Sequence, residues 1–323
     1  MSNSSPLVSV IIPHYNGIHH LTTCFTALRG QTYSNLEIIL VDNGSSDESV
    51  ALTRRDFPEV KIIELKRNFG FIGAVNQGFA QAKGEILAPL NNDTEAAPGW
   101  VEALVEALQA HPEAGMAASK MLLFDRRDTL HSAGDGFGYD GIPINRGVWQ
   151  KDEGQFDQDL YIFGGCGGAV AYRRAMLADI GGFDEDLYMY LEDVDLNWRA
   201  QLAGYRAVFA PRAVVYHHLS ATGGGVIASY YTGRNTIFML AKDLPAPLFR
   251  RHWTAIIKAQ LKIAVDALRA WRGEAARARL RGQLAGLWGL PKWLGKRRAV
   301  QQTKQVDDAY LESLLDVKQK IVV

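Results

Sequence analysis

The 323-residue chain holds only two cysteines, Cys24 and Cys166. Two thiols cannot supply a disulfide framework, and their scarcity suits a reducing compartment. No run of about 18 apolar residues is present, so no membrane-spanning helix is expected. Residues Met1 to Pro6 lack a basic stretch followed by an apolar one, so no secretory leader is expected. Internal repeats and low-complexity tracts are also missing. There is no net charge either, 35 basic residues standing against 35 acidic ones. That zero conceals a division. Arg250 to Arg298 contains 13 Lys/Arg and two acids, a local +11, whereas residues 1–249 carry 19 Lys/Arg against 29 acids, a local −10. An acidic body with a basic C-terminal arm points to different partners for the two parts.

What is present reads as an α/β protein. Val8-Ser9-Val10-Ile11-Ile12-Pro13, Leu36 to Val41, Val60 to Leu65 and Ile86 to Leu90 are β-branched or apolar runs of strand length. Helical spacing separates them, as in Leu21, Phe25 and Leu28, and in the segment holding Asn76 and Phe79. Strands alternating with helices predict a mostly parallel central sheet flanked by helices. Further on, Pro98 to Gln109 predicts a helix, Gly115 to Phe124 a strand, Asp193 to Leu202 a helix, and Tyr205 to Phe209 a short strand before Val214-Val215-Tyr216-His217-His218. Between Asp125 and Leu160 the periodicity fades, which predicts a long active-site loop with room for a small hairpin.

Three acidic loops carry the candidate chemistry. Asp42-Asn43-Gly44-Ser45-Ser46-Asp47 stops the second strand, and its Ser46 or Asp47 is placed to cap the next helix. Leu90-Asn91-Asn92-Asp93 stops the fourth strand, at the sheet edge where open parallel sheets bind ligands. Asp93 there can hold a hard divalent cation whose other positions go to phosphate oxygens and water; the plain alternative is an Asx-rich turn. Glu192-Asp193 opens a helix, where acids also simply favour the helix dipole. The run Gly164-Gly165-Cys166-Gly167-Gly168 does not fit a dinucleotide fingerprint. Its glycines predict a close approach of backbone to a ligand. In the arm, Trp253, Ile257, Leu261, Leu268 and Trp271 recur at helical spacing, with Lys258, Lys262 and Arg269 between them. This is the pattern of an interfacial amphipathic helix, and equally of one that packs on the body or on a second subunit. A second apolar and basic segment runs from Leu284 to Arg298.

The ordered set Val8 to Gly17, Val41 to Asp47, Asn68-Phe69-Gly70, Leu90 to Asp93, Gly181 to Glu185 and Leu191 to Leu196 resembles glycosyltransferase family 2, its rhamnosyltransferase-like branch above all. The resemblance covers about residues 7–240. It implies a GT-A fold in a catalytic domain of residues 1–243, with a nucleotide-binding half to about residue 95 and an acceptor half from 96 to 243, followed by the arm, 244–323. It also implies inverting transfer of a sugar, rhamnose among the candidates, from a dTDP- or UDP-sugar to a glycan or lipid-linked acceptor in cell-surface polysaccharide assembly. By the same resemblance Pro13, Tyr15, Asn16, Asp42, Asn68, Asn76 and Asn92 line the nucleotide site. Asp93 and His217 hold Mg²⁺ or Mn²⁺, with His218 the alternative to His217, and Asn91 stands where the family's metal motif has its first acid. Arg234 faces the departing diphosphate, or else is a packing arginine. Asp193 is the general base, with Glu192 as its rival.

The place of work implied is the inner face of the cytoplasmic membrane, as a peripheral cytoplasmic protein bound to anionic lipid through the arm; no nucleic acid is expected as a partner. Two other readings exist, a non-catalytic nucleotide-sugar-binding subunit and a membrane-surface scaffold. Acceptor-dependent release of nucleoside diphosphate separates the first from an enzyme. The scaffold leaves the acidic loops without a purpose.

Overall fold

A computed structural model describes residues 5–218 and 225–316. In chain order the elements are β1 (Val8–His14), α1 (Ile18–Arg29), β2 (Leu36–Asp42), α2 (Ser49–Asp56), β3 (Lys61–Glu64), α3 (Gly70–Gln81), β4 (Ile86–Pro89), β5 (Thr94–Ala96), α4 (Trp100–Ala110) and β6 (Ala114–Leu123). They continue through β7 (Leu130–Ser132), β8 (Asp135–Gly138), β9 (Pro143–Asn145), β10 (Tyr161–Ile162), β11 (Val170–Arg173), α5 (Arg174–Ile180), α6 (Glu192–Leu202) and β12 (Arg206–His217). The last are α7 (Gly225–Lys242), α8 (Ala246–Arg269), α9 (Glu274–Gln302), α10 (Asp308–Ser313) and β13 (Leu315–Asp316).

The central sheet runs β10-β12-β6-β11-β4-β1-β2-β3, with β5 paired to β12 and β7 to β6. Strands β3, β2, β1 and β4 are parallel, β11 is antiparallel to both β4 and β6, and β12 returns parallel to β6. Both faces are apolar, as nearly continuous hydrophobic strands require. On one face Leu21, Phe25 and Leu28 of α1 pack with Trp100, Leu104 and Leu108 of α4. On the other, Ile72 and Val75 of α3 meet Met176 of α5 and Leu196 of α6. The carboxyl ends of β1, β2 and β4 therefore open on one edge, and the loops carrying Tyr15, Asp42 and Asp93 lie along it.

Several expectations change in detail. The low-periodicity stretch from Asp125 to Leu160 holds a small hairpin, β8–β9, as expected, and in addition β7, and β13 pairs parallel to β8 at Leu315↔Phe137. The two short segments expected over 205–217 are one strand, β12, with an irregularity between Ala210 and Val214. The first residue before α2 is Glu48, without a side-chain capping bond; Asp47 instead accepts the Ser49 N–H (3.2 Å) and the Ile18 N–H (3.2 Å), tying two loops together.

Among the described residues the arm holds the long helices α8 and α9, then α10 and β13. The boundary at Asp243 falls in the turn between α7 and α8, yet α7 has α9 as its partner. Gly282 makes this close approach possible, since a Cβ there would lie 2.1 Å from the Tyr230 carbonyl oxygen. Ion pairs tie both helices to the body, because Lys242 of α7 meets Asp184 (2.8 Å) and Asp195, and Lys296 of α9 meets Asp184 (2.6 Å). Much of the arm's apolar stripe remains outside this packing. Trp253, Leu261 and Leu268 of α8, Trp271 just after it, and Leu284 and Trp288 of α9 are all exposed, Trp288 to 90%. No helix among the described residues is long and apolar enough to cross a membrane.

Candidate active site

The donor side is built where β1 and β2 end. Pro13 is buried in β1 opposite Val41. Tyr15 is exposed beyond it. Asn16 adopts a left-handed backbone (φ 47°), which asparagine tolerates. Its Oδ1 accepts the Ser46 N–H at 2.8 Å, locking the loop after β1 to the loop after β2. Asp42 closes β2 and is buried; its Oδ2 accepts the Ser45 N–H at 3.2 Å, while its Oδ1 is buried without a partner in the protein. A buried carboxylate oxygen left open is costly unless something donates to it, so the atom is available to a ligand N–H. Asn68 does not reach that atom: its Oδ1 accepts from Asn43 (2.9 Å) and from the Gly70 N–H (2.8 Å), which ends the loop and starts α3. Asn76 lies farther away in the structure's connections, with both amide atoms on Phe183, at 2.9 and 3.0 Å.

Asn92 binds the His14 ring at 2.8 Å, and His14 in turn meets Ser49 at 2.7 Å. Asp93 is buried, and its Oδ1 lies 3.2 Å from Nε2 of His217. Burial pushes the Asp93 carboxyl up, but the bond and charge of His217 more than offset this and hold it below its ordinary value. The neighbouring His218 turns elsewhere. Its ring stacks on Phe124 at 3.6 Å, and only its N–H reaches the Asp93 carbonyl. Asn91 donates toward His217 at 3.4 Å. A residue not singled out from the sequence, His131, stacks on His217 at 4.7 Å; burial, then the charge of His217, lowers it to about 4. Nδ1 of both rings is buried without a partner. Two donor atoms 3.2 Å apart fit one hard cation's coordination sphere, and a neutral imidazole is the form that ligates.

Glu192 and Asp193 open α6 after a strained loop. Tyr188, Tyr190 and Leu191 all have φ between 64° and 67°, a conformation that bulky residues adopt only when held. The holding group is Asn235 of α7. Its buried side-chain amide faces the carbonyls of Leu187 (3.2 Å), Met189 (2.9 Å) and Tyr190 (2.7 Å). Arg234 donates to the Leu187 carbonyl at 2.7 Å and lies over the Tyr231 ring at 4.7 Å, so it packs on this loop. The loop also touches the donor side, since a Cβ on Gly70 would be 2.9 Å from the Tyr188 carbonyl oxygen.

Asp193 is half-buried. Its two oxygens accept the N–H groups of Gly167 and Val194, each at 2.8 Å. Burial raises its carboxyl above the ordinary value, against the lowering effect of those bonds. Glu192 is more enclosed. Its Oε2 lacks a partner, and burial with the charge of Asp193 raises it to about 8. Asp193 is thus the acid with oriented oxygens, and Glu192 the one kept neutral. Behind them, Asp135, Cys166 and Asp193 place their donor atoms within 4.8 Å of one another, a possible acidic metal site in its own right. Burial, then the charge of Asp193, pushes Asp135 well up. The glycine run serves this interior: a Cβ on Gly164 would overlap the Asn197 side chain at 2.0 Å, and Asn197 donates to Asp135 at 3.1 Å. The close approach expected there is thus made at Gly164 by a protein side chain.

The Glycosyl transferase family 2 model matches residues 9–181. The chain belongs to glycosyltransferase family 2. It is 31% identical over 234 residues to an uncharacterised protein, y4gI, of Sinorhizobium fredii, covering 68% of this chain and 25% of that one. It is 28% identical over 267 residues to an N-acetylglucosaminyl-diphospho-decaprenol L-rhamnosyltransferase of Mycobacterium tuberculosis, covering 75% of this chain and 85% of the relative. The crystal structure of GalNAc-T7 with UDP, GalNAc and Mn²⁺ superposes with a TM-score of 0.61 at 18% identity, over 74% of this chain and 48% of that one. The fold of this family-2 chain is GT-A, and it spans only about a quarter of the y4gI protein.

Proposed function

We propose that the protein is an inverting, nucleotide-sugar-dependent glycosyltransferase of cell-surface polysaccharide assembly, with a rhamnosyl donor as the first to test. The observation that carries this is Asp193, a raised carboxyl whose oxygens are fixed by two backbone N–H groups beside the strand-end loops. In one displacement the acceptor oxygen forms a bond to the anomeric carbon as the bond to the diphosphate breaks. The diphosphate leaves with the electron pair, and the acceptor's proton passes to Asp193. Asp42 Oδ1 is free to accept a pyrimidine N3–H of a dTDP- or UDP-sugar, beside Pro13, Tyr15 and Asn16. Asp93 and His217 would hold Mg²⁺ or Mn²⁺, which offsets the charge on the leaving diphosphate as a Lewis acid. Asn91, in place of an acid, lowers the negative charge of that site.

The arm is proposed to dock on an anionic membrane from the cytoplasmic side. Supporting this, α8 and the turn after it keep Trp253, Leu261, Leu268 and Trp271 exposed beside Lys258, Lys262 and Arg269. Removing the arm would also strip α7 of its partner, so point variants are the appropriate probe. Leu261→Glu with Trp288→Glu should reduce sedimentation with phosphatidylglycerol vesicles. For the enzyme reading, dTDP- and UDP-sugars are screened by thermal shift with and without Mn²⁺, followed by acceptor-dependent release of nucleoside diphosphate. A bound donor raises stability by mass action. No shift with any donor, or release indifferent to acceptor, would overturn the reading.

A further inference from the structure

Helices α8 and α9 splay apart on the outer side of the molecule and leave a cleft of about 640 Å³, within the usual range of about 300–1,000 Å³ for ligand pockets. Ile257, Leu261 and Ala264 of α8 form one wall, Leu284 and Leu287 of α9 the other, and Leu240 of α7 lies in the floor. Leu261, Leu284 and Leu287 are more than half exposed, which is unusual for so many large apolar side chains on one surface.

The two ends differ. At one end Arg297 lines the cleft, and Lys292 and Lys296 of the same helix pair with Asp186 and Asp184, each at 2.6 Å. Asp184 and Asp186 belong to the turn leading into Tyr188–Leu191 and so to Asp193. Helix α7 makes the same connection. Asn235 holds that loop, and Leu240, five residues on and roughly 8 Å along the axis, lies in the cleft. Lys292 and Lys296 lie outside the cleft and are matched by the aspartates, so the cation of the cleft is Arg297, whose Nη1 also donates to the Ala241 carbonyl at 2.9 Å. The cleft thus joins an apolar trough to one guanidinium, on a helix tied to the turn before the catalytic loop.

We propose that this cleft seats the hydrocarbon chain of a lipid-linked acceptor, with the acceptor's anionic, phosphate-bearing head at the Arg297 end and its sugar directed toward Asp193. The inference rests on the glycosyltransferase reading above and narrows the acceptor to a lipid. The occupant is chosen by charge and shape. A trough open along its length suits a flexible chain drawn from a leaflet, and a cationic end suits a phosphate at the chain's head. A soluble glycan would find nothing to bind in the trough.

The test is photo-crosslinking with an anionic phospholipid carrying a diazirine in its acyl chain, in phosphatidylglycerol vesicles, on the full chain. Cross-links are expected on the segments 257–264 and 280–294. Ala264→Trp fills the trough while leaving the exposed tryptophans in place. It should cut those cross-links and turnover of a long-chain lipid-linked acceptor by roughly tenfold or more, about 1.4 kcal/mol of lost binding. Vesicle sedimentation and turnover of the same saccharide on a short, water-soluble chain should be kept. Leu284→Asp, at an exposed position of the other wall, should likewise cut the cross-links and long-chain turnover while keeping turnover on the short chain, and its added charge should also weaken sedimentation. Cross-links confined to Trp253, Trp271 and Trp288, or wild-type turnover of the long-chain acceptor by both variants, would overturn the proposal, as would a stable dimer in sedimentation velocity that closes the cleft. Cross-linking does not depend on catalysis. If no acceptor of either kind turns over while the cross-links appear, the enzyme reading fails and the chain seat stands.

Discussion

The side-chain amide of Asn235 meets the Tyr190 carbonyl oxygen at 2.7 Å, across 45 residues of sequence. Through that bond and its two companions, a helix outside the sheet fixes a loop of three left-handed residues immediately before Asp193. Asn235→Ala takes the side-chain donor from the Met189 and Tyr190 carbonyls, leaves the Leu187 carbonyl to Arg234, and releases a strained loop. The expected result is a loss of about 1–3 kcal/mol of stability and a fall in kcat of roughly 10²-fold from misplacement of the base. The donor KM should hardly change, because Asp42 and Asp93 are not touched by Asn235. A steady-state separation of kcat from KM checks it; a donor KM that rises as much as kcat falls would mean a general collapse of the site.

Asp193→Asn keeps the hydrogen-bonded shape but removes the basicity. Turnover should fall roughly 10²–10⁴-fold, with donor binding by calorimetry nearly unchanged. The acid limb of the wild-type kcat/KM profile should lie above the range of an ordinary Asp, because burial raises this carboxyl. Normal turnover by Asp193→Asn together with a dead Glu192→Gln would transfer the role to Glu192.

Glu192 gives a prediction about stability and pH. Its folded value is raised from 4.5 to about 8, so the folded protein keeps a proton that the unfolded chain has already lost. Stability from this group is present below the unfolded value and declines as pH rises from 4.5 toward about 8. Glu192→Gln stays neutral throughout. It should therefore raise Tm relative to wild type at pH 8.5 and differ little at pH 4.5, read by calorimetry across that window. An equal Tm difference at both pH values would contradict the assignment.

Asp93 and His217 are tested by removing either donor. Asp93→Ala and His217→Ala should each abolish the Mn²⁺-dependent part of donor binding while the circular dichroism spectrum is retained. Exhaustive chelation should do the same to the wild type. Full activity after chelation would refute the cation requirement.

Much of this was legible in the residues. Alternation of apolar strands with helical stripes is local information, and it located the sheet, the edge where Asp42 and Asp93 sit, and the start of α6 to within a residue. The interior of the site was less accessible. Asp135 and His131 lie in a stretch whose short strands pair with distant elements, including β13, so no local period marks them. Asn235 is adjacent to Arg234, but nothing in Tyr230 to Asn235 shows that its amide faces carbonyls at 187 to 190. The glycines at 164–168 announced a close approach without naming the visitor; at Gly164 it is Asn197. The arm's stripe was visible at once, whereas its division between a buried α7 contact and an open cleft depends on Gly282, whose significance appears only when Tyr230 lies against it.

The pairing of Leu315 with Phe137 has a bearing on how the molecule comes into being. Strands from the first two-thirds of the chain can assemble while the remainder is still on the ribosome, since domains mature from the N-terminal side. The loop before Asp193 obtains its donor only when Asn235 emerges, and the helix bearing Asn235 obtains its neighbour only when Gly282 follows. The edge of the small sheet that begins at Asp135 is covered last of all. The nascent protein thus acquires its nucleotide loops early and its means of transfer late, at the same stage as the cleft between the two outer helices.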